Sequence, residues 1–394
     1  MYSFLLPNIV IPILTYKLEL YDNNDENYIS NSLHKYLDKV KGKIEIYNKS
    51  WDIFKKITNN YEYIHTNIPH INKPVCSYIP LSRSFFKMIE LLNELNILKE
   101  LPENNLNSFH LAEGPGGFIE ALCYLRKNIS DNYYGMTLID DNDKNIPGWK
   151  KSHSYLNKNP NIKLEYGVDG TGNIMNPENL MYCYNRFNNS IDIVTADGGF
   201  DFSINFNKQE VMCCKLIYAE IANAVAIQKK GGTFILKIFD IFSKGTVDAL
   251  FLLSSLYDSV YITKPNTSRT ANSEKYVVCK GFRNINTKYF VDLFYNMLKN
   301  FDNHDNFSIF NIEFPYIFIN KLQDINAILG QIQIENINHT IQLIEYNNNE
   351  KLHNIKKQNI QKCINWCNKY KLPCNSNVSK YENIFKKKVN INIT

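Results

Sequence analysis

Through the middle of the chain, short apolar runs alternate with longer stretches whose apolar residues recur every three to four positions. The runs predict strands over 109–112, 133–138, 164–168, 191–196, 233–239, 260–263 and 276–279, because blocks of β-branched and aromatic residues favour extended backbone. Helices fill several gaps, at 118–126, 208–229 and 245–256. Upstream, apolar residues at 85, 88, 89, 92 and 95 predict an amphipathic helix capped by Ser82 or Ser84, with Lys87 off its main stripe. Leu33, Tyr36, Leu37 and Val40 mark one or two helices between 24 and 63, and 287–298 and 324–334 read as helical further on.

Strand and helix alternation with glycine-rich strand exits predicts an α/β fold, a doubly wound and mostly parallel sheet whose ligands gather at the carboxyl ends of the strands. Fourteen of the sixteen glycines lie between Gly114 and Gly281, so the backbone that approaches ligands closely is concentrated there. The organisation expected is a partly helical N-terminal extension over 1–75, a catalytic domain over 76–285, and an asparagine-rich C-terminal region over 286–394 with a basic end.

The net charge of +5 is uneven: from Glu350 onward ten lysines face two glutamates, a local +8. That end either neutralises phosphates or is simply solvated. Nine cysteines, irregularly spaced, do not resemble a secreted disulfide framework and suggest a reducing compartment. Cys363, Cys367 and Cys374, with His353 nearby, lack the tight pairs of a structural zinc site, and no metal is expected. The opening MYSFLLPNIVIPIL is broken by Pro7, Asn8 and Pro12 and reads as a buried segment rather than a signal peptide. No apolar run reaches the eighteen residues of a membrane span, so a soluble, intracellular protein of nucleus or cytoplasm is expected, without membrane partners.

Three segments carry candidate chemistry. In LAEGPGGF, Leu111 to Phe118, an acidic residue and three glycines sit where a strand ends and a helix begins. Glycines let a ligand approach backbone N–H groups, the helix N-terminus favours a carboxylate, and Glu113 is placed to hold an ammonium group. The pattern is neither a dinucleotide fingerprint nor an ATP phosphate loop. In TADGGFDF, Thr195 to Phe202, Asp197 lies at another strand exit, although aspartate before two glycines also forms plain turns. In GGTFILKIFD, Lys237 interrupts an apolar strand; it is either an edge lysine that snorkels outward or a functional amine. Glu274, before the last strand, and Lys87 complete a Lys-Asp-Lys-Glu set. Such a set suits the deprotonation and in-line methylation of a weakly acidic alcohol, clustered amines lowering one another's pKa.

Taken together, LAEGPGGF, YGMTL (134–138), YGVDGTGNI (166–174), TADGGF, GGTFILKIFDIF and KPNTSRTANSEKYVVCKGF (264–282) resemble the FtsJ-type methyltransferases. The likeness runs from Ser82 to Phe282 and is strongest to the eukaryotic and large-virus branch that methylates the 2′-oxygen of the first transcribed nucleotides of capped mRNA. The resemblance implies a Rossmann-like sheet of seven strands with an antiparallel last strand and helices on both faces. It implies S-adenosylmethionine as methyl donor and a catalytic set of Lys87, Asp197, Lys237 and Glu274, with Lys237 as base. Cofactor contacts carry over to Glu113, Gly114, Pro115, Gly116, Gly117, Phe118, Thr137, Leu138, Asn173, Ile174 and Asp197; relatives often have aspartate at Asn173. RNA contacts carry over to Asn207, Lys208, Gln209 and Asn272. Lys55 and Lys56 are cap-contact candidates, and Arg83 and Arg269 meet either phosphate or a neighbouring carboxylate. Capped mRNA is the expected partner, with other capping enzymes or the transcription machinery beside it. Uncapped ribosomal or transfer RNA as substrate, or a catalytically silent RNA-binding subunit, are the rival readings.

Overall fold

The short apolar runs become part of one eight-stranded sheet in the computed structural model, which describes residues 1–9, 20–22, 28–69, 71–140, 142–143, 146–199, 209–283, 286–301 and 307–376. The chain opens with β1 (Tyr2–Leu5), β2 (Tyr21–Asp22), α1 (Asn31–Ile46), α2 (Asn48–Thr58) and α3 (Ser84–Glu94). The central part follows as β3 (Asn107–Leu111), α4 (Gly117–Arg126), β4 (Asn132–Met136), α5 (His153–Lys158), β5 (Ile162–Leu164), α6 (Pro177–Phe187) and β6 (Ile191–Ala196). Then come α7 (Gln209–Ile227), β7 (Gln228–Ile238), α8 (Lys244–Leu256), β8 (Tyr257–Lys264) and β9 (Lys275–Phe282). The last elements are α9 (Thr287–Asn300), β10 (Phe307–Ser308), α10 (Tyr316–Tyr346) and α11 (Asn349–Lys369).

Strand order is β1-β8-β9-β7-β6-β3-β4-β5. Strands β5, β4, β3, β6 and β7 pair in parallel, and β9 enters antiparallel between β7 and β8. These seven strands, with only β9 reversed, form the Rossmann-like sheet that the motifs implied. The eighth strand, β1, adds antiparallel to the β8 edge. It comes from the apolar N-terminal segment, which the pattern assigned to burial; Leu6 and Ile9 are buried, whereas Tyr2 and Leu5 lie on an exposed edge.

Pleat parity sorts the side chains onto two faces. Val194, Ala196, Phe234, Leu236, Val277 and Cys279 face the core beneath α7, α8 and α9. Ile193, Ile235, Tyr276 and Val278 face a second core built with α3, α4 and α11, including Phe85, Phe118 and Trp366. Each fully buried large apolar side chain contributes roughly 1.5–3 kcal/mol, and both faces are covered, which is why the strands read as continuous apolar runs rather than alternating ones.

Local departures from the sequence reading have physical causes. Strand β5 ends at Leu164 rather than Val168, because Gly167, Gly170 and Gly172 turn the chain with positive φ. Helix α3 takes Arg83 as its N-cap with no side-chain cap; the Ser82 and Ser84 hydroxyls bond each other. Lys87 is buried, and Tyr36 is exposed while Leu37 and Val40 are buried.

The terminal regions meet each other. Leu37, Val40 and Trp51 pack with Ile334, Ile337 and Ile341, and Ile57 packs with Leu343 and Leu352. Cys76 and Cys374 form an isolated antiparallel bridge. Among the described residues no helix is long and apolar enough to cross a membrane.

Behind the sheet, fully buried Asp248 on α8 accepts from Lys244 Nζ, from Ser308 Oγ at 2.7 Å and from Ile309 N at 2.7 Å, tying β10 to the core. Removing one partner of a buried pair strands the other. Asp248→Ala is therefore expected to lower stability by about 3 kcal/mol, read as a lower urea midpoint.

Candidate active site

The same parity that builds the second core carries chemistry to its rim. Ala196 pairs with Leu236, and Lys237 pairs with Tyr276. Stepping by two from Ile193, Ile235 and Val278 brings Asp197, Lys237, and Tyr276 with Glu274 to one face at the carboxyl ends of β6 and β7. Because β9 runs antiparallel, its beginning lies beside the end of β7, so Glu274 arrives at that edge rather than at the far one. Helix α3, packed on this face, supplies Lys87.

The four groups form two amine–carboxylate pairs. Lys87 Nζ lies 2.7 Å from Glu274 Oε1, and Lys237 Nζ lies 3.3 Å from Asp197 Oδ1 while donating to the Asp197 carbonyl at 2.7 Å. Tyr276 Oη links the pairs, 3.1 Å from Asp197 Oδ1 and 3.4 Å from Glu274 Oε1. Ser268 Oγ donates to Glu274 Oε1 at 3.0 Å. The side chains of Lys87, Lys237, Asp197 and Glu274 are 6%, 12%, 14% and 12% exposed, so each keeps a small accessible surface at the rim.

Electrostatics divides the two lysines. Burial lowers the Lys87 pKa despite the attraction of Glu274 and Asp197. At Lys237 burial also pulls down, but Asp197, Glu274 and Glu220 outweigh it and hold the amine above its ordinary value. The expectation that clustering lowers both amines is thus corrected for Lys237, whose carboxylate neighbours outnumber its cationic ones. Burial acts to raise Glu274, yet Lys87 and Lys237 hold it well below the usual carboxylate range.

Beside this cluster the exits of β3, β4 and β5 lie together. Gly114 N donates to Thr137 Oγ1 at 3.4 Å, and Ile139 N to the Thr171 carbonyl at 2.8 Å. A Cβ on Gly114 would fall 2.4 Å from the Gly148 carbonyl oxygen, and one on Gly172 2.1 Å from that of Thr137. Gly116, with φ +99°, is the N-cap of α4 and offers it no side chain. Pro115 follows a cis bond. Leu138 is exposed, Ile174 is buried, and Asn173 accepts from Met175 N at 3.0 Å. Two residues of the motif turn inward instead. Glu113 accepts from Thr195 Oγ1 at 2.5 Å and Ile119 N at 3.2 Å, beside His110, and its side chain is 1% exposed. Phe118 is fully buried against Tyr276.

The loop between β8 and β9 is held from every side. Lys264 Nζ donates to the Asn272 carbonyl at 2.8 Å, to Asn272 Oδ1 at 3.1 Å and to the Glu274 carbonyl at 2.8 Å. Glu90 on α3 accepts from Asn266 N and Thr267 N, Arg269 pairs with Glu62, and Gln333 on α10 donates to the Ala271 carbonyl. Arg269 therefore meets a carboxylate, and the Asn272 side-chain oxygen is turned into the loop. Gln209 Oε1 accepts from Ser273 Oγ at 3.2 Å, whereas Asn207 and Lys208 lie outside the described residues. Lys55 pairs with Asp52 on α2.

Tyr276, Lys264 and Glu220 were not singled out by the motifs. Tyr276 carried a signal, standing two residues after Glu274 in a predicted strand and hence on the same face. Glu220 carried another, a lone acid within the apolar helix text YAEIANAVAI.

The profile of the FtsJ-like methyltransferase family matches residues 80–282, just over half of the chain. The chain is 38% identical over 173 residues to a cap-specific mRNA (nucleoside-2′-O-)-methyltransferase 1 of Trypanosoma brucei brucei, covering 43% of this chain and 45% of that protein. It is 32% identical over 225 residues to a cap-specific mRNA (nucleoside-2′-O-)-methyltransferase 2 of Danio rerio, covering 51% and 28%. It is also 32% identical over 175 residues to an inactive cap-specific mRNA (nucleoside-2′-O-)-methyltransferase 1B of Caenorhabditis briggsae, covering 43% and 20%. The chain thus spans less than half the length of these relatives.

Lys264→Met leaves three loop acceptors without their buried donor. Amide hydrogen exchange across 266–274 is expected to rise about tenfold or more, while the strands of the sheet keep their protection.

Proposed function

Because the chain belongs to the FtsJ-like methyltransferase family, we propose that it moves the methyl group of S-adenosylmethionine to the ribose 2′-hydroxyl of a nucleotide next to the cap of mRNA, using a domain spanning 76–285. The observation that carries this reading is the pairing of Lys87 with Glu274 and of Lys237 with Asp197 on one rim, bridged by Tyr276. The cap is inferred from the relatives' names.

S-adenosylmethionine suits the residues beside the rim. Gly114 and Gly172 let the loops after β3, β4 and β5 close on one another beside the rim, and the glycine-led start of α4, where the Glu113 carboxylate takes the Ile119 amide, turns the positive end of its helix dipole toward an anion such as the methionine carboxylate. Asn173, Ile174, Thr137 and Leu138 would border the adenosine, and Asp197 would meet the amino-acid end. Glu113, engaged by Thr195 and Ile119, sets the shape of the loop rather than touching the ligand. When bound, this donor supplies an electrophilic methyl on a cationic sulfonium, whose charge also lowers the pKa of a nearby amine.

The chain's own groups then act on the hydroxyl. Lys237 orients the 2′-oxygen and takes its proton, Asp197 fixes the amine by carboxylate and carbonyl together, and Glu274 fixes Lys87 on the opposite side. Asn272 and Gln209 border the approach of the RNA, with Asn207 and Lys208 in the adjoining segment. The relative named inactive makes the catalytically silent reading the one to test directly.

Transfer of labelled methyl groups to matched short RNAs, with and without a methylated guanosine cap, tests the proposal. Label confined to a ribose next to the cap supports it; equal labelling without a cap favours ribosomal or transfer RNA, and no labelling with intact RNA binding favours the silent subunit. Lys237→Ala is expected to reduce transfer by about a thousandfold or more while calorimetry finds S-adenosylmethionine affinity within a few-fold of wild type.

A further inference from the structure

Helix α7 packs on the sheet face opposite the paired amines, with Leu216, Ile217 and Ile221 in that core. One of its side chains nevertheless reaches the reactive rim. Glu220 is 1% exposed, and its Oε1 accepts from Gly198 N at 3.0 Å. A Cβ on Gly198 would lie 2.4 Å from that oxygen, so the backbone is in direct contact with the carboxyl group and only glycine fits between them. The other oxygen, Oε2, is buried with no hydrogen-bond partner among the described residues.

The charged groups around Glu220 come from three strand ends: Lys237 on β7, Asp197 after β6 and Glu113 after β3. On its own helix, Cys213 also acts on Lys237. Burial raises the Glu220 carboxyl most strongly; Lys237 and the Gly198 amide oppose this, Asp197 and Glu113 add to it, and the result is a value of about 8.

We propose that Glu220 is a positioning residue for methyl transfer: by holding the Gly198 amide from behind the sheet, it fixes the Asp197 carbonyl and carboxylate that grip the Lys237 amine. The inference rests on the methyl-transfer reading of the site. The mechanical chain is short. Asp197 grips Lys237 through its carbonyl and its carboxylate, so a turn released at Gly198 shifts both contacts at once, and an ångström of misplacement costs about a hundredfold in rate. A second effect follows from charge. Ionised Glu220 places a negative group facing Lys237 and retains its proton; neutral Glu220 does not.

The test uses the full chain with S-adenosylmethionine and capped RNA, comparing Glu220→Gln with Glu220→Leu. Glutamine keeps an acceptor for Gly198 N and is expected to retain kcat within a few-fold, whereas leucine, of similar size but without an acceptor, is expected to lose about a hundredfold in kcat with little change in KM for RNA. In Glu220→Gln the rising limb of the pH–rate profile should move to lower pH, because no charge develops beside Lys237. Thermal unfolding provides a reading independent of turnover. A carboxyl whose folded value lies above its free value favours the fold at low pH and loses that contribution as pH climbs through about 8. The melting temperature of Glu220→Gln relative to wild type should therefore rise between pH 5 and pH 8. Should the leucine variant fail to fold, the glutamine pH profile decides. Wild-type kcat in Glu220→Leu, or a Glu220→Gln profile superimposed on wild type, overturns the inference alone; a wild-type chain that transfers no methyl group overturns the reading beneath it.

Discussion

Buried ammonium groups have to be neutralised in place, and at the rim of this sheet two amines and two carboxylates do so for one another. Neither lysine could stay charged in its surroundings without a carboxylate within hydrogen-bond reach, and Glu274 is held ionised by both amines. The pairs therefore determine where the ends of β6 and β7 and the start of β9 must lie. Tyr276 extends the constraint by sitting between Asp197 and Glu274, so the four charges behave as one assembly rather than two independent bridges. A cluster of this kind is stable but not inert: the groups keep a small exposed surface, and a polar ligand entering there exchanges with contacts already made.

The parts of the molecule outside the family match are built around that assembly. The loop from Pro265 to Glu274 is anchored from outside the match by Glu62 through Arg269 and by Gln333 through a carbonyl, and from within it by Glu90 through two backbone amides. Lys41 on α1 reaches Asp240 just past the end of β7, where Lys275 also points. The two terminal regions, which meet through α1, α2, α10 and α11, thus hold the exits of β7 and β8 from outside. Their role in the architecture is to fix the backbone that presents Lys237 and Glu274.

The sheet was legible because its strands are buried on both faces and so leave unbroken apolar text, and because the glycine motifs mark their exits. Lys87, Asp197, Lys237 and Glu274 were legible as residue types in a motif order, and three of them follow from pleat parity once the pairing is known. What the sequence concealed was direction and depth. Nothing in LAEGPGGF distinguishes a glutamate facing a ligand from one facing Thr195, and Phe118 looks the same whether it lines a pocket or fills a core. Strand β1 was hidden because an edge strand and a buried segment share an apolar text. The opposite pKa behaviour of Lys87 and Lys237 depends on how many carboxylates surround each amine, which is a three-dimensional count. Glu220 was visible as an anomaly in its helix, but only the Gly198 contact gives it a meaning.

The reversed strand β9 has a consequence for how the chain must be assembled. It is synthesised after both of its neighbours yet lies between them, so β7 and β8 cannot close on each other and must each keep an open edge until β9 arrives. The loop that leads into it is anchored in turn by α10, later still in the chain. A chain that stops short of β9 has no partner for the inner edge of β7 and lacks Glu274 at the rim, so the strand that completes the sheet also brings the last carboxylate to the amines. Closure of the sheet and completion of the charged rim depend on one and the same strand.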